Sequence, residues 1–439
     1  TVPIPALSSA PAPLIPGTVP GANSSFAPTT FQMDPNYKPG GNNEFDLTLQ
    51  RSLNARMVLE LGYIGRSASG LYMPLQLNHV PYMMPEGGQT FAAAYDAVAS
   101  ELAGGTSATP QPWFETALAG SSFCTTSCTA GVVSKLGADF TSQKVTTLWN
   151  ALQPSFAMGN VTASTSQVQS LFFWSNQGRS NYNAGFAALH VRNLNGLTLD
   201  TNLTWSHALG NANLNEDDDS ATSNSFDPNF DYGTLPFDRR LVLNVLGSYN
   251  LPFGKSGSGW TSRLARNWIV SPIFSWYSGE PLNVRDGSGQ EWGQTSANSA
   301  DAILTTGNSF GNNLHGGVAG STGIGTTGDP SKGGTGLNLF QNPAAVYASF
   351  RPVQLGVDTT SLSGMLRGMG HWNTDLALAR KLQVSERFSA TVNAQVFNLF
   401  NHVQFADPGA SLQSPQSFGV VTSQLNNARV VELGLHLDF

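Results

Sequence analysis

The clearest pattern in the chain is a strict alternation of apolar with polar or small residues in its last nine positions. Residues 431–439 place an apolar side chain at every second position, and the final residue is a phenylalanine. Because successive side chains of a β-strand point to opposite faces, this segment predicts a strand whose apolar face continues to the last residue. The apolar positions are Val431, Leu433, Leu435, Leu437 and Phe439.

Eight further segments have strand-like patterns, and the clearest of them covers residues 197–206. Pro272 lies inside one segment, where it cannot donate a hydrogen bond to a neighbouring strand, so we expect a bulge or a local break there. The nine predicted strands cover residues 44–50, 57–63, 182–191, 197–206, 241–251, 268–277, 372–380, 388–397 and 430–439.

The links between the nine predicted strands alternate between short and long. The long links are residues 66–180, 207–236, 279–370 and 400–427. Bacterial outer-membrane barrels have short periplasmic turns and long extracellular loops. The alternation therefore predicts an all-β fold, an antiparallel transmembrane outer-membrane β-barrel with its long loops outside the cell. One minor helix is expected within the first long loop, at residues 91–99.

The strand count also predicts that the barrel is partial. If the last strand ends in the periplasm, the first of nine strands starts outside the cell, whereas bacterial barrels have an even number of strands. We therefore expect the chain to be the C-terminal part of a larger barrel, with further N-terminal strands missing. The alternative is a weak strand overlooked within residues 66–80 or 410–424. Residues 1–42 are expected to be loop or disordered.

The composition agrees with a surface that faces lipid. Of the 439 residues, 11% are charged, against about 25% in a typical globular domain. The chain contains no apolar run near the roughly 18 residues that a membrane-spanning helix needs. A net charge of −7 disfavours nucleic acid as a partner. The expected partners are outer-membrane lipid and the barrel assembly machinery, which reads the terminal aromatic residue.

Two groups of residues are candidates for cross-linking or ion binding. Cys124 and Cys128 are close in sequence, and in an exported protein they predict a disulfide that closes a small loop. Two thiols without nearby histidines make a poor metal site. The acidic run is a weak Ca²⁺ candidate, because hard cations bind several carboxylates, although such runs are more often simply solvated. It consists of Glu216, Asp217, Asp218 and Asp219.

No sequence motif indicates an enzyme or a bound cofactor. The segment Gly323–Gly328 has the form G-x-G-x-x-G, but nucleotide binding by this motif requires a strand before it and a helix after it. Here the segment lies in glycine-rich sequence, which indicates a flexible surface loop. The catalytic motifs H-E-x-x-H, G-x-S-x-G and Walker A are absent.

The strand patterns also predict what faces each side of the barrel wall. Polar positions are expected to face the interior, where they either contact a plug and substrate or simply pair with water. These positions are Asp46, Glu60, Asp200, Asn202, Asn393, Gln395, Glu432 and His436. Aromatic residues near strand ends suit the girdles at the membrane interfaces, with the core of a soluble sandwich as the alternative. They are Tyr63, Trp205, Trp268, Trp276, Trp372 and Phe439.

Over residues 43–439 the sequence resembles the Oar-like branch of the TonB-dependent receptor family. The order and spacing of several short segments carry this resemblance. They are Ser180-Asn181-Tyr182-Asn183-Ala184, Thr204-Trp205-Ser206-His207, Phe237-Asp238-Arg239-Arg240, Leu251-Pro252-Phe253-Gly254-Lys255, Ser278-Gly279-Glu280-Pro281, Asn398-Leu399-Phe400-Asn401-His402 and the terminal strand.

The resemblance implies a 22-stranded outer-membrane barrel that binds a ligand at its outer loops and takes it up with energy from the TonB complex. The sequence has no recognisable plug or TonB-contact segment, so the chain alone is not expected to transport. The alternatives are a surface adhesin or structural barrel without transport, and a secreted soluble β-rich binding protein.

Overall fold

The computed structural model describes residues 29–77, 79–159, 170–211, 222–253, 259, 265–294, 301–305, 315–316, 323–361, 363–383 and 388–439. Ten of the strands are β1 (Thr29–Met33), β2 (Gly41–Asn54), β3 (Met57–Gln76), β4 (Ser170–Leu194), β5 (Leu197–Gly210), β6 (Leu241–Asn250), β7 (Trp268–Tyr277), β8 (His371–Gln383), β9 (Ser389–Phe397) and β10 (Val430–Asp438).

The helices are α1 (Phe91–Ala103), α2 (Pro112–Ala117), α3 (Cys128–Thr141), α4 (Val145–Leu152) and α5 (Pro343–Ala348). Two-residue strands lie at Pro85–Glu86, Gln89–Thr90, Gly233–Thr234, Pro281–Leu282, Ile303–Leu304, His315–Gly316, Leu337–Asn338, Phe350–Arg351 and Leu366–Arg367. Turns of 3₁₀ helix lie at Gln153–Ser155, Thr326–Gly328, Pro330–Lys332 and Pro415–Ser417.

Strands β2 to β10 form one antiparallel sheet in which each strand pairs with its neighbours in sequence. This arrangement confirms the all-β, antiparallel prediction and its nine long strands within the described part of the chain. The short strand β1 pairs in parallel with the start of β4. The edge strands β2 and β10 are each paired on one side only, so the barrel does not close.

Sequential antiparallel strands place successive connections at opposite ends of the sheet, so the long and short links are segregated. We call the two ends the loop end and the turn end. At the turn end, β4 and β5 are joined by Asn195 and Gly196, whose φ angles are 53° and 89°. Two consecutive positive φ values favour Asn-Gly in a two-residue hairpin, because their twist matches that of the strands.

The strand register places the predicted polar positions on a single face of the sheet. Glu60 pairs with Ala188, which pairs with Asn202, and residues directly opposite each other share a face. The same register continues to Gln395 and Glu432. All eight positions predicted to face the interior lie on this side, which we call the polar face.

The opposite side of the sheet, which we call the apolar face, carries the predicted aromatic residues. Trp276 pairs with Trp372 near the loop end, and Trp205 pairs with Leu241 at a similar height. Trp268 lies at the turn end, at the start of β7. Tyr63 is on the same face as Trp205 through Gly185. Four of these aromatic side chains therefore lie toward the loop end of the apolar face, and Trp268 lies at its turn end.

Pro272 interrupts one ladder without shifting the register. Val270 pairs with Tyr249 and Ile273 with Leu246, so the two strands stay aligned on either side of the proline. No pairing with β6 occurs at Pro272 itself, because proline has no N–H to donate. Of the two sequence expectations, a local break is correct and a bulge is wrong.

The hydrophobic cores lie in the long connections and not on the sheet. One cluster joins helices α1 to α4 to the second and third connections, and another joins the third connection, including α5, to the fourth. The sheet instead exposes its apolar residues, and Leu433 of β10 is 81% exposed. Monomeric soluble proteins rarely expose large continuous apolar patches. The secreted soluble alternative is therefore wrong.

The structure corrects several boundaries that the sequence suggested. Residues 29–33 and 41–42 form strands, although residues 1–42 were expected to be loop; residues 1–28 lie outside the described part. The predicted loop 66–180 is shorter, because β3 runs to Gln76 and β4 begins at Ser170. Its described residues also hold four α-helices, whereas the sequence predicts one. The loop 207–236 likewise begins later, since β5 continues to Gly210.

Candidate functional site

The largest organised structure outside the sheet lies at its loop end. It comprises the described residues within 79–159, 222–236, 279–370 and 400–427, which we call the loop cap. These ranges come from four separate connections between strands. The contacts that join them determine whether the connections act as independent loops or as one body.

The first connection folds into a small helical unit with an aromatic core. In α4 the buried residues Val145, Leu148, Trp149 and Leu152 follow helical spacing, so they line one face of the helix. The ring of Trp149 lies 5.1 Å from that of Phe91 in α1 in an edge-to-face arrangement, which is favourable for aromatic pairs. This core fixes the helices relative to one another.

The N-terminus of α3 is held by a carboxylate and by a disulfide. The Glu115 carboxylate accepts hydrogen bonds from the backbone N–H groups of Cys128 and Thr129, each at 2.9 Å. Burial acts to raise the pKa of Glu115, but the bonds from Thr129 and Cys128 outweigh it and hold the pKa below its ordinary value. Cys128 forms a disulfide with Cys124.

The second and third connections pack onto this helical unit. Trp292 of the third connection is inserted between Tyr82 and Phe230, with ring centroids 5.4 Å and 4.8 Å away. The carbonyl of Gly293 accepts a hydrogen bond from the N–H of Val80 at 2.9 Å. Each of the first three connections therefore contributes to one buried cluster.

The fourth connection joins the cap through a second cluster. Phe418 packs against Phe340 and Tyr347, with ring centroids 5.6 Å and 5.3 Å apart. The Tyr347 hydroxyl donates to the carbonyl of Leu412 at 2.8 Å. All four connections are thus parts of one packed body at the loop end.

A buried carboxylate fixes the base of the cap to the sheet. The Asp238 side chain is fully buried and forms ion pairs with Arg367 at 2.6 Å and Arg240 at 3.3 Å. It also accepts a hydrogen bond from the N–H of Ala208 at 2.6 Å. This group links β5, the segment before β6 and the third connection. Asp238 and Arg240 belong to the Phe-Asp-Arg-Arg segment that carried the family resemblance.

A second group of acids lies where α1 meets the third connection. The Asp96 carboxylate accepts hydrogen bonds from the N–H groups of Leu355 and Gly356, at 2.9 Å and 2.7 Å. Asp286 is fully buried, and its Oδ2 accepts from the N–H of Val353 at 2.8 Å. We call this contact the acidic junction.

Burial changes the protonation of these acids. It raises the pKa of Asp286 to about 8, and the charge of Glu291 acts in the same direction. It also raises the pKa of Asp96 to about 6, despite the hydrogen bonds from Gly356 and Leu355. The nearby cation is Arg351, which forms a bidentate pair with Asp358 at 2.7 Å.

The structure describes some of the predicted site residues and leaves others undescribed. The acidic run Glu216 to Asp219 lies outside the described residues, so the Ca²⁺ hypothesis stays a prediction. Among the residues that are described, no group of His, Cys, Asp or Glu is arranged to hold a metal ion. The segment Gly323–Gly328 is a turn with one 3₁₀ helix, and the described residues that follow it form a second 3₁₀ turn and not the α-helix that nucleotide binding requires. Phe439, beyond the end of β10, is fully exposed.

Sequence reasoning missed the helices after α1 and the buried acids. For α4 a signal was present, because Val145, Leu148, Trp149 and Leu152 are spaced as on one helical face. For Asp286 there was none, since an acidic residue in a loop gives no sign of its burial.

In the described part of the chain, no helix is both long and apolar enough to cross a membrane.

An antiparallel sheet with one apolar face, aromatic residues near its strand ends and packed loops at one end defines the class of outer-membrane β-barrel proteins. The chain belongs to the outer membrane beta barrel domain family, whose profile matches residues 2–432. The protein is therefore located in the outer membrane.

Similar solved structures come from outer-membrane transporters and receptors. The Escherichia coli outer membrane transporter YddB is 9% identical, with a TM-score of 0.42, over 94% of this chain and 35% of that one. The siderophore receptor PirA from Acinetobacter baumannii is 10% identical, with a TM-score of 0.36, over 93% and 33%. The chain thus spans about a third of these structures' length. No curated protein sequence matches it.

Proposed function

We propose that the chain is the ligand-binding, loop-bearing part of an outer-membrane receptor that takes up its ligand with energy from the TonB complex. The observation that carries the proposal is the loop cap, in which four connections form one packed body over the end of the sheet. A barrel that only reinforces the membrane does not require such a body. Long loops on a rigid scaffold commonly carry binding specificity.

In this proposal the loop cap lies outside the cell and the short turns lie in the periplasm. The polar face is directed to the barrel interior, where Asp200, Asn202 and Glu432 line the ligand's route or contact a plug. The plug and the remaining strands belong to the intact protein. The terminal strand β10 and Phe439 are the segment that the barrel assembly machinery recognises. The protein binds and transfers its ligand and does not catalyse a reaction.

Uptake can be tested in the source bacterium without knowing the ligand. Three strains are compared: the parent, a strain lacking this gene and a strain lacking TonB. Mass spectrometry of a defined medium then measures which compounds each strain removes. The proposal predicts at least one compound that the parent depletes and neither mutant does. Depletion that needs the gene but not TonB would contradict the proposal that the TonB complex supplies the energy for uptake.

The adhesin alternative makes a different prediction in the same strains. Loss of the gene would leave depletion of the medium unchanged and would reduce attachment to surfaces or to neighbouring cells.

A Ca²⁺ requirement for ligand binding, abolished by replacing Asp217, Asp218 and Asp219 with Asn, would support the proposed ion site. Binding that is unaffected by chelators would rule that site out.

A further inference from the structure

The acidic junction brings four carboxyl groups and one guanidinium group within electrostatic range of one another. Beyond burial, the charge of Asp358 acts to raise the pKa of Asp96, and the charges of Glu291 and Asp358 act to raise that of Asp286, whereas Arg351 acts to lower both. Four carboxylates and one guanidinium would have a net charge of −3 if all were ionised. A buried site cannot hold such an excess without a large energetic cost.

Asp286 is the residue least able to remain ionised. Its side chain is fully buried, and its Oδ1 has no hydrogen-bond partner among the described residues. A buried carboxylate oxygen without a partner is costly, whereas a neutral carboxyl group is much less so. Glu291 is buried as well, but its Oε1 accepts from the N–H groups of residues 287, 288 and 289. The proton that balances the charge therefore belongs on Asp286.

The junction is also a mechanical contact between distant parts of the chain. Asp96 accepts hydrogen bonds from the N–H groups of Leu355 and Gly356, which lie 259 and 260 positions further along the chain. Asp286 accepts a hydrogen bond from the N–H of Val353, two residues before Leu355. Opening the junction would separate α1 from residues 353–358 and expose both carboxyl groups to water.

We propose that the acidic junction is a proton-dependent latch, which holds the loop cap closed in acid and releases it as the medium becomes alkaline. This inference rests on the geometry of the cap and holds whether or not the barrel transports a ligand. The only reactant is the proton, which the closed cap retains on Asp286 and the opened cap gives up to water.

The direction of the effect follows from the two states of Asp286. Its pKa is about 8 in the closed cap, whereas an exposed aspartate has a pKa near 4. Between these values the closed cap holds a proton that the open cap lacks, so closure weakens as pH rises. One proton changes the opening equilibrium by about tenfold per pH unit in this window, and the change ends above about pH 8.

Other groups that face Asp286 do not change charge in the upper part of this window. Tyr95 of α1 and Tyr347 of α5 have raised pKa values, because burial and the charge of Asp286 both oppose their ionisation. They therefore remain neutral at pH 8. Asp96 has a pKa of about 6. The response between pH 6 and 8 is thus assigned to Asp286, and Asp96 adds to it below pH 6.

Hydrogen exchange of the full chain in detergent micelles tests the latch. Protection factors, corrected for the intrinsic pH dependence of exchange, are measured for peptides covering residues 91–103 and 351–358. The wild-type protein should lose about a hundredfold in protection between pH 6 and 8. Asp286→Asn, which mimics the neutral carboxyl group, should show no loss. Asp329→Asn removes a partly exposed acid of the same connection, away from the acidic junction, and should behave like the wild type.

Three results would overturn the proposal. The first is a wild-type protein with constant protection from pH 6 to 8, and the second is a parallel loss in Asp286→Asn. The third is recovery of protection at pH 8 on addition of Ca²⁺, since a metal ion would then neutralise the site. If Asp286→Asn does not fold, Asp96→Asn gives a second test. It should keep the loss between pH 6 and 8 and, below pH 6, reduce the response from two linked protons to the one on Asp286.

Discussion

At the scale of single residues, the loop cap depends on positions that only one type of residue can occupy. Gly293 has a φ of +83°, and a Cβ there would lie 2.5 Å from the Cβ of Val80. Glycine is required for both reasons, since it tolerates positive φ and allows the two backbones to approach closely. The Val80–Gly293 hydrogen bond is the direct result of this approach.

Gly293→Ala should therefore loosen the contact between the first and third connections. We expect a cost of about 3 kcal/mol, from backbone strain and the clash with Val80. The measurement is the rate at which a protease cleaves the loop cap in detergent micelles. Gly323→Ala is the matched control, because Gly323 has a φ of +82° but open space around its Cβ position. Equal effects of the two substitutions would show that close approach is unimportant.

Asp238→Ala should weaken the attachment of the cap to the sheet. It leaves Arg240 and Arg367 without their buried partner, and breaking such a pair costs on the order of 3 kcal/mol. We expect a lower melting temperature for loop-cap unfolding in detergent. Asp46→Ala, at an exposed position of β2, should change it little. A similar melting temperature for both variants would remove Asp238 from this role.

The residue scale is also where sequence-based prediction fails most. Asp96 and Leu355 are hydrogen-bonded across 259 positions, and no local pattern reports such a contact. The burial of Asp286 depends in the same way on how four connections pack. The disulfide between Cys124 and Cys128 involves residues close in sequence, so its prediction needed only their spacing and an exported location.

At the scale of elements, the strands could be predicted where a face contacts lipid. Alternation defined β5 and β10, because each must separate an apolar from a polar side. It did not extend to residues 67–76 or 170–181, where β3 and β4 pair beyond the alternating segments. A strand ladder needs only backbone N–H and C=O groups, so it can continue after alternation ends.

The start of α3 provides a test at this scale. Glu115→Gln keeps the shape of the side chain but removes the charge that accepts the N–H groups of Cys128 and Thr129. We expect a loss of about 1 kcal/mol in the local stability of α3 at neutral pH. Hydrogen exchange of residues 128–141 measures it, with Glu86→Gln as the control.

The same contact should depend on pH in the opposite direction from the latch. The pKa of Glu115 is below its ordinary value of 4.5, so its stabilisation is complete above that value and is lost as pH falls through the lower, folded pKa. Protection of α3 should thus decline in acid in the wild type and remain level in Glu115→Gln. An acid-induced decline in both proteins would contradict this role.

At the scale of the whole molecule, hydrophobic residues are divided between two environments. The loop cap buries most of its large aromatic residues in two internal clusters, whereas the apolar face of the sheet leaves leucines, valines and Trp205 exposed. Such a sheet is stable only if lipid replaces water on that face. The alternation in the terminal strand predicted one apolar and one polar face, and the register of all nine strands extends these two faces across the sheet.

The most direct test of this account is the periodicity of solvent contact along β5, a central strand of the sheet. Spin labels are attached to single cysteines at Thr201, Asn202, Leu203 and Thr204 in the full protein in lipid bilayers. Labels at 201 and 203 should collide with oxygen dissolved in lipid, and labels at 202 and 204 with a water-soluble nickel chelate. Equal access at all four positions, or the reverse alternation, would contradict a sheet whose apolar face contacts the membrane.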